Sequence, residues 1–240
     1  MILLRSWKAL FVKEFIEHRI SFQGVPLGIL ALLTAAGVSA LTLHRVELVS
    51  ELPFVDASKI FELCYLVLLA LWLAYMIVSV FFYFGDAFSA DRRNNAMLFW
   101  KSMPVTDLKI LSAKTLSGLV VFPLVVLVIG LVTGLVFFLI LNIATLLMPS
   151  LGVLSPAESL GSFGHISLYA LVYFACALAW YAPFFAWVGA LSTIVGRWSL
   201  PLAFVIPGVL AIVENVALFG NGPRGGHVWN YIGYRWQFAL

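Results

Sequence analysis

Charge is what this 240-residue chain has least of. Only 10% of its residues are Asp, Glu, Lys or Arg, against roughly 25% in an ordinary soluble domain. With 63% apolar residues and a mean hydropathy of +1.06, too few polar groups remain to cover a water-soluble surface. That excludes a soluble enzyme, a DNA-binding module and a disordered tail. Cysteine is nearly absent too: Cys64 and Cys176 both fall in long apolar runs and read as buried thiols, so no disulfide framework is expected. The four histidines, His18, His44, His165 and His227, show no metal-ligand spacing. Glu14-xx-Glu17-His18 lacks the second His of a zinc helix, and salt-bridging on a helix face is the simpler reading. No G-x-x-x-x-G-K-[ST] and no G-x-S-x-G occurs, which removes nucleotide cradling and a serine-elbow hydrolase. Clustered polar groups within the apolar runs are nearly missing, which disfavours an intramembrane protease or transferase.

What is present is a set of long uncharged runs, each a candidate membrane helix. They are 20–43, 63–85, 115–147, 166–195 and 199–218, the last interrupted by Glu214. The expected fold is therefore an all-α polytopic membrane protein with five spans. The longest connection, Asp86–Lys114, has 29 residues, too few for a soluble domain. No cleavable signal peptide is evident, because the first apolar run begins only at Ile20 and leads into a polytopic chain. The flanks divide into two sets. One (1–19, 86–114, 196–198) carries ten Lys and Arg, and the other (44–62, 148–165, 219–240) carries four. The bias predicts a cytoplasmic N-terminus, an outer segment over 219–240 and residence in the cell's inner (cytoplasmic) membrane.

The run 115–147 is longer than the ~30 Å hydrocarbon core requires, so a bend or tilt is expected, with Pro123, Gly130 and Gly134 as bend points. Pro183 interrupts the fourth run. Ser199-Leu200-Pro201 predicts a helix start with Ser as cap. Gly24-xxx-Gly28 and Gly130-xxx-Gly134 both fit close helix approach. Over 1–19, Leu4, Trp7, Phe11 and Phe15, followed by Phe22, line one side of a helix. Lys13 and Glu17 take another, a pattern suited to an interfacial helix; Leu3 and Leu10 fall on the polar side. The plainer alternative is a cytoplasmic extension of the first span. Glu214 has two readings. One is an interfacial carboxylate, or one bonded to Asn215. The other is a substrate-path or helix-locking role for Glu214 and Asn215.

The connection 86–114 is the richest segment. Asp91-Arg92-Arg93 leads into apolar 96–100, Lys101 follows, Pro104 stops any helix, and Thr106-Asp107 restarts one. Exposed Met97, Phe99 and Trp100 beside charges suit a docking surface; dipping into lipid is the alternative.

Asp91-Arg92-Arg93, then Leu98-Phe99-Trp100-Lys101-Ser102-Met103-Pro104-Val105-Thr106-Asp107, resembles the cytoplasmic segment between the second and third spans of type-2 ABC exporter permeases. Lys13-Glu14-Phe15-Ile16-Glu17-His18-Arg19, with Pro26-Leu27 beyond it, resembles that family's amphipathic N-terminal segment. The resemblance implies an elbow helix over 1–19, a coupling helix carrying Asp91, Arg92, Arg93, Met97, Phe99, Trp100 and Lys101, and six spans. Five are counted before the last residues, Tyr234 to Leu240, and the family pattern calls for a sixth beyond an outer segment. It also implies a second permease copy or homologous permease and a separate ABC ATP-binding subunit as partners, alongside the lipid bilayer and without nucleic acid. ATP and Mg belong to that ATPase, and this chain binds no cofactor and makes no bonds. A non-transporting scaffold or sensor that docks a cytoplasmic partner is the alternative. Aromatic residues in the runs, among them Trp72, Tyr75, Phe81, Phe82, Tyr83, Trp180 and Tyr181, suit a lipid-like or amphipathic cargo.

Overall fold

The computed structural model describes residues 2–42, 57–93, 106–147, 156–219 and 226–237. Among them every regular element is helical and there are no strands. This is the form expected where a bilayer leaves the backbone no water to bond. Six helical segments follow one another. α1 is Ile2–Glu17, α2 Ile20–Thr42, α3 Ala57–Arg93 and α4 Asp107–Leu147. α5 has two arms: α5a is Pro156–Val195, and α5b is Ser199–Glu214 continued by a π turn over Asn215–Phe219. α6 is His227–Trp236.

Four of these segments, α2, α3, α4 and α5, are long and apolar enough to cross a membrane, and the chain is membrane-embedded on that ground. The difference from the five expected runs lies at Gly196–Trp198. There a 3-10 turn, with Gly196 at φ +62°, joins the two arms of α5. The arms fold back toward each other there, and the Trp187 indole N–H donates to the Ala203 carbonyl at 3.3 Å across the turn. The fourth apolar segment thus contains both the fourth and the fifth runs.

The expected bend at Pro123 takes a specific form. A π turn over Ser117–Val121 immediately precedes Phe122-Pro123. The same device occurs before Pro26, where a π turn spans Ile20–Gly24. A proline ring crowds the carbonyl four residues back and offers it no N–H, and widening the preceding turn relieves the clash. The first π turn also carries α1 into α2 without a break: Arg19 keeps helical angles, and the Phe22 N–H donates to the His18 carbonyl at 3.2 Å. Over 7–17 of α1 the buried residues are Leu10 and Glu14. The aromatic side of Trp7, Phe11 and Phe15 is only half-buried. Leu10, which the sequence pattern puts on the polar side, is therefore packed, with Glu14 beside it.

Two further expectations need correction. Ser199 does not cap α5b; Trp198 holds that position, and no side chain bonds there. The buried Ser199 hydroxyl donates instead to the Gly85 carbonyl of α3 at 2.7 Å. Gly24-xxx-Gly28 makes no close approach: a Cβ on Gly24 would meet only its own helix, and one on Gly28 would meet nothing.

The described chain forms two compact units. One comprises 12–76 and 120–175. Its core is Phe61, Tyr65, Leu69 and Ala170, with Phe137, Phe138 and Phe163 against it. Here Gly130-xxx-Gly134 is a true contact. A Cβ on Gly134 would lie 2.0 Å from the Tyr65 ring, and one on Gly130 would lie 3.3 Å from Trp72. Phe22 stacks on Phe122 with ring centroids 3.9 Å apart. The other unit comprises 1–11, 77–119 and 176–240. In it Phe84 stacks on Phe185 at 6.0 Å, and the Tyr83 hydroxyl donates to the Lys114 carbonyl at 3.0 Å, tying α3 to α4.

Candidate functional site

Glu214 and Asn215 lie where α5b passes into its terminal π turn. Glu214 does not bond Asn215. Its two carboxylate oxygens accept the backbone N–H groups of His227 and Val228, at 2.8 and 2.9 Å. These are orphan donors of the first turn of α6, so Glu214 caps that helix from another one. Gly226 makes this possible. It sits buried at φ +106°, and a Cβ there would stand 3.0 Å from a Glu214 carboxylate oxygen. Asn215 turns inward. Its amide N–H donates to the Ala211 carbonyl at 2.7 Å, while its Oδ1 is buried without a partner among the described residues.

The other end of α6 is tied just as firmly. The Trp180 indole N–H donates to the Arg235 carbonyl at 2.9 Å, and an Arg235 guanidinium N–H donates back to the Trp180 carbonyl at 3.2 Å. Three residues on, Pro183 withholds the N–H that the Ala179 carbonyl would use, so α5a is loosened at this turn. The Arg235 guanidinium lies 4.7 Å from the Trp180 ring centre and 5.6 Å from that of Tyr231. Tyr234 adds a ring 5.4 Å from Trp180, and the Tyr181 hydroxyl donates to the Trp236 carbonyl at 3.4 Å. α6 is thus bonded at its start to α5b and at its end to α5a.

No family model, curated protein or solved structure matches this chain.

The site residues expected on the coupling segment fall partly within view. Asp91, Arg92 and Arg93 form the last turn of α3, which runs on past Gly85 instead of ending there. Met97, Phe99, Trp100 and Lys101 lie outside the described residues. α4 begins at Asp107, with Thr106 extended before it at ψ 146°. The Thr106 carbonyl accepts from Lys109 and Ile110, but its hydroxyl makes no cap bond. Of the expected connection 86–114, residues 86–93 belong to α3 and 107–114 to α4, and 94–105 lie outside the described residues.

Glu14, Glu17 and His18 do come together, with ligand-type atoms within 4.8 Å of one another. The Lys13 ammonium stands 3.8 Å from the Glu14 carboxylate and 3.5 Å from that of Glu17. It supplies the positive charge that the pair calls for, as the salt-bridge reading expects.

A feature the sequence did not mark is an apolar crevice of about 410 Å³ in the unit of 12–76 and 120–175. Residues from α2 (Leu30, Gly37), α3 (Cys64) and α4 (Thr133, Phe137, Ile140) line it. The Thr34 and Thr133 hydroxyls on its wall donate to their own helices, to Leu30 and Ile129, both at 2.8 Å. Among the described residues no carboxylate, imidazole or amine lines it. Such a wall is apolar apart from the two threonines and Cys64. Arg235 and its rings also went unmarked, although HVWNYIGYRW is an amphipathic stretch with its Arg in the last turn.

Proposed function

We propose that this chain is the permease subunit of an ABC exporter, passing cargo through the membrane while a separate ATP-binding subunit supplies the energy. One observation carries the reading. The motif from Leu98 to Asp107 joins α3 and α4, two apolar helices of 37 and 41 residues that both continue past their expected spans toward it. At 1.5 Å per residue they are about 55 and 60 Å long, longer than a bilayer core needs. Both helices would reach beyond the membrane on the side where the ATPase sits. The Tyr83 bond to the Lys114 carbonyl links them close to that connection, so a push there moves α3 and α4 together. Nucleotide drives the cycle only if the ATPase grips the permease differently with and without it. With α5 doubled back at Gly196 the chain makes five passes, its N-terminus cytoplasmic in the inner membrane, and it works beside a second permease copy. The apolar crevice suits a lipid-like cargo.

Met97, Phe99 and Trp100 would fill a cleft on the ATPase, with Arg92, Arg93 and Lys101 at the rim. Phe99→Ala is expected to weaken association by roughly thirtyfold, the usual cost of an aromatic anchor. Arg92→Ala should do less and vary with salt. Recovery of the ATPase with tagged permease in detergent measures this. Undiminished recovery with Phe99→Ala and Trp100→Ala combined would sink the docking. Binding without nucleotide-dependent ATPase stimulation would favour the scaffold.

A further inference from the structure

We infer that Arg235, held between Trp180 and Tyr231 on α6, binds the phosphate of a phospholipid headgroup at the membrane surface. The ten residues of α6 span about 15 Å, too short to cross a bilayer, and α6 hangs from Glu214 where the apolar run of α5 closes at Ala217. Its inward face is Val228, Ile232 and Arg235; outward stand Trp229, Tyr231, Tyr234 and Trp236, each more than half exposed. Rings with one apolar and one polar edge, on a short helix at the end of a span, belong at the headgroup level.

Arg235 then stands out. It is partly buried among aromatic rings and makes no ion pair among the described residues. Its five N–H donors meet one acceptor, the Trp180 carbonyl, and its Nε is buried without a partner. A guanidinium in such surroundings calls for an anion. Trp180 and Tyr231 hold the plane of its fork, which suits two parallel bonds to a phosphate. A phospholipid at the membrane surface brings that group to this depth and leaves its chains against the exposed rings. The inference does not rest on the exporter reading.

The test uses the purified full chain in detergent with three probes: a short-chain phosphatidylglycerol, the diacylglycerol with the same chains, and inorganic phosphate. Bound lipid is counted by native mass spectrometry, and thermal unfolding is followed in parallel. Wild type should retain phosphatidylglycerol, and Arg235→Gln should weaken that binding by roughly tenfold or more. Arg235→Lys should fall between, keeping charge but losing the fork. Diacylglycerol should bind wild type and Arg235→Gln alike, and inorganic phosphate should not protect the fold. If Arg235→Gln does not fold, Tyr231→Leu, at an exposed ring, carries the test with an expected loss of about threefold. Undiminished phosphatidylglycerol binding in the substituted chains overturns the site. Equal protection by inorganic phosphate overturns the lipid as its source.

Discussion

The two units of this molecule hold their helices by different means. In the unit of 12–76 and 120–175, rings against small residues predominate: Tyr65 lies against the bare backbone at Gly134, and Phe22 stacks on Phe122, beside fewer bonds such as Tyr65 to Ser167 and Tyr75 to the Ser21 carbonyl. In the unit of 1–11, 77–119 and 176–240, rings and glycines also meet, Phe84 on Phe185 and Gly118 under Tyr83, but bonds to backbone add to them: Ser199 to Gly85, Tyr83 to Lys114, Glu214 to His227 and Val228, Arg235 to Trp180. The contrast follows from what each must solve. Straight apolar helices in lipid gain nothing by hiding from one another, so they associate where backbones approach closely. A short helix such as α6 presents orphan backbone groups at both ends, which Glu214 and the Trp180 indole meet, whereas Ser199, Tyr83 and Arg235 donate to carbonyls within helices.

The largest expected effect tests the packed unit. Gly134→Leu drives a side chain into the Tyr65 ring and should cost about 3 kcal/mol or prevent folding, read as a lower unfolding temperature in detergent. A variant as stable as wild type would show that the Tyr65 contact is not what holds that unit. The bonded unit is tested by Glu214→Gln, which keeps the size and removes the charge from the cap. Amide exchange in α6 should quicken by roughly fivefold while the Tyr65 region stays protected. Equal quickening in both regions would erase the distinction between them. The smallest effect sharpens the first: Gly28→Ala, at a position where a Cβ meets nothing, should change stability by less than about 0.5 kcal/mol.

Much of the fold was legible. The absence of charge over long runs sets which segments enter lipid, and the break at Gly196-Arg197-Trp198 marked the reversal of α5 to the residue. Pro123 marked a bend, and a π turn precedes it; the π turns before Pro26 and at Asn215–Phe219 carried no such expectation, and Pro183 and Pro207 stay inside α-helix. Helix lengths were less legible. The uncharged runs end at Gly85 and begin again at Thr115 because Asp86, Asp91 and Lys114 are charged, yet α3 runs to Arg93 and α4 begins at Asp107. Uncharged length measures what partitions into the hydrocarbon, whereas a helix ends only where its backbone bonds do. Of the candidate site, Glu214 was visible as a charge out of place, but its partners stand 13 and 14 residues on.

Sequence alone determined that this chain lives in a membrane, that it is helical, and where it reverses, since each follows from partition energies and local backbone chemistry. Tertiary structure decided which of two identical Gly-xxx-Gly spacings touches a neighbour, that Ser199 bonds Gly85 rather than its own helix, and that Arg235 meets Trp180 across 55 residues. Helices that are apolar on every side carry no pattern naming the face that packs, so only the assembled chain chooses it.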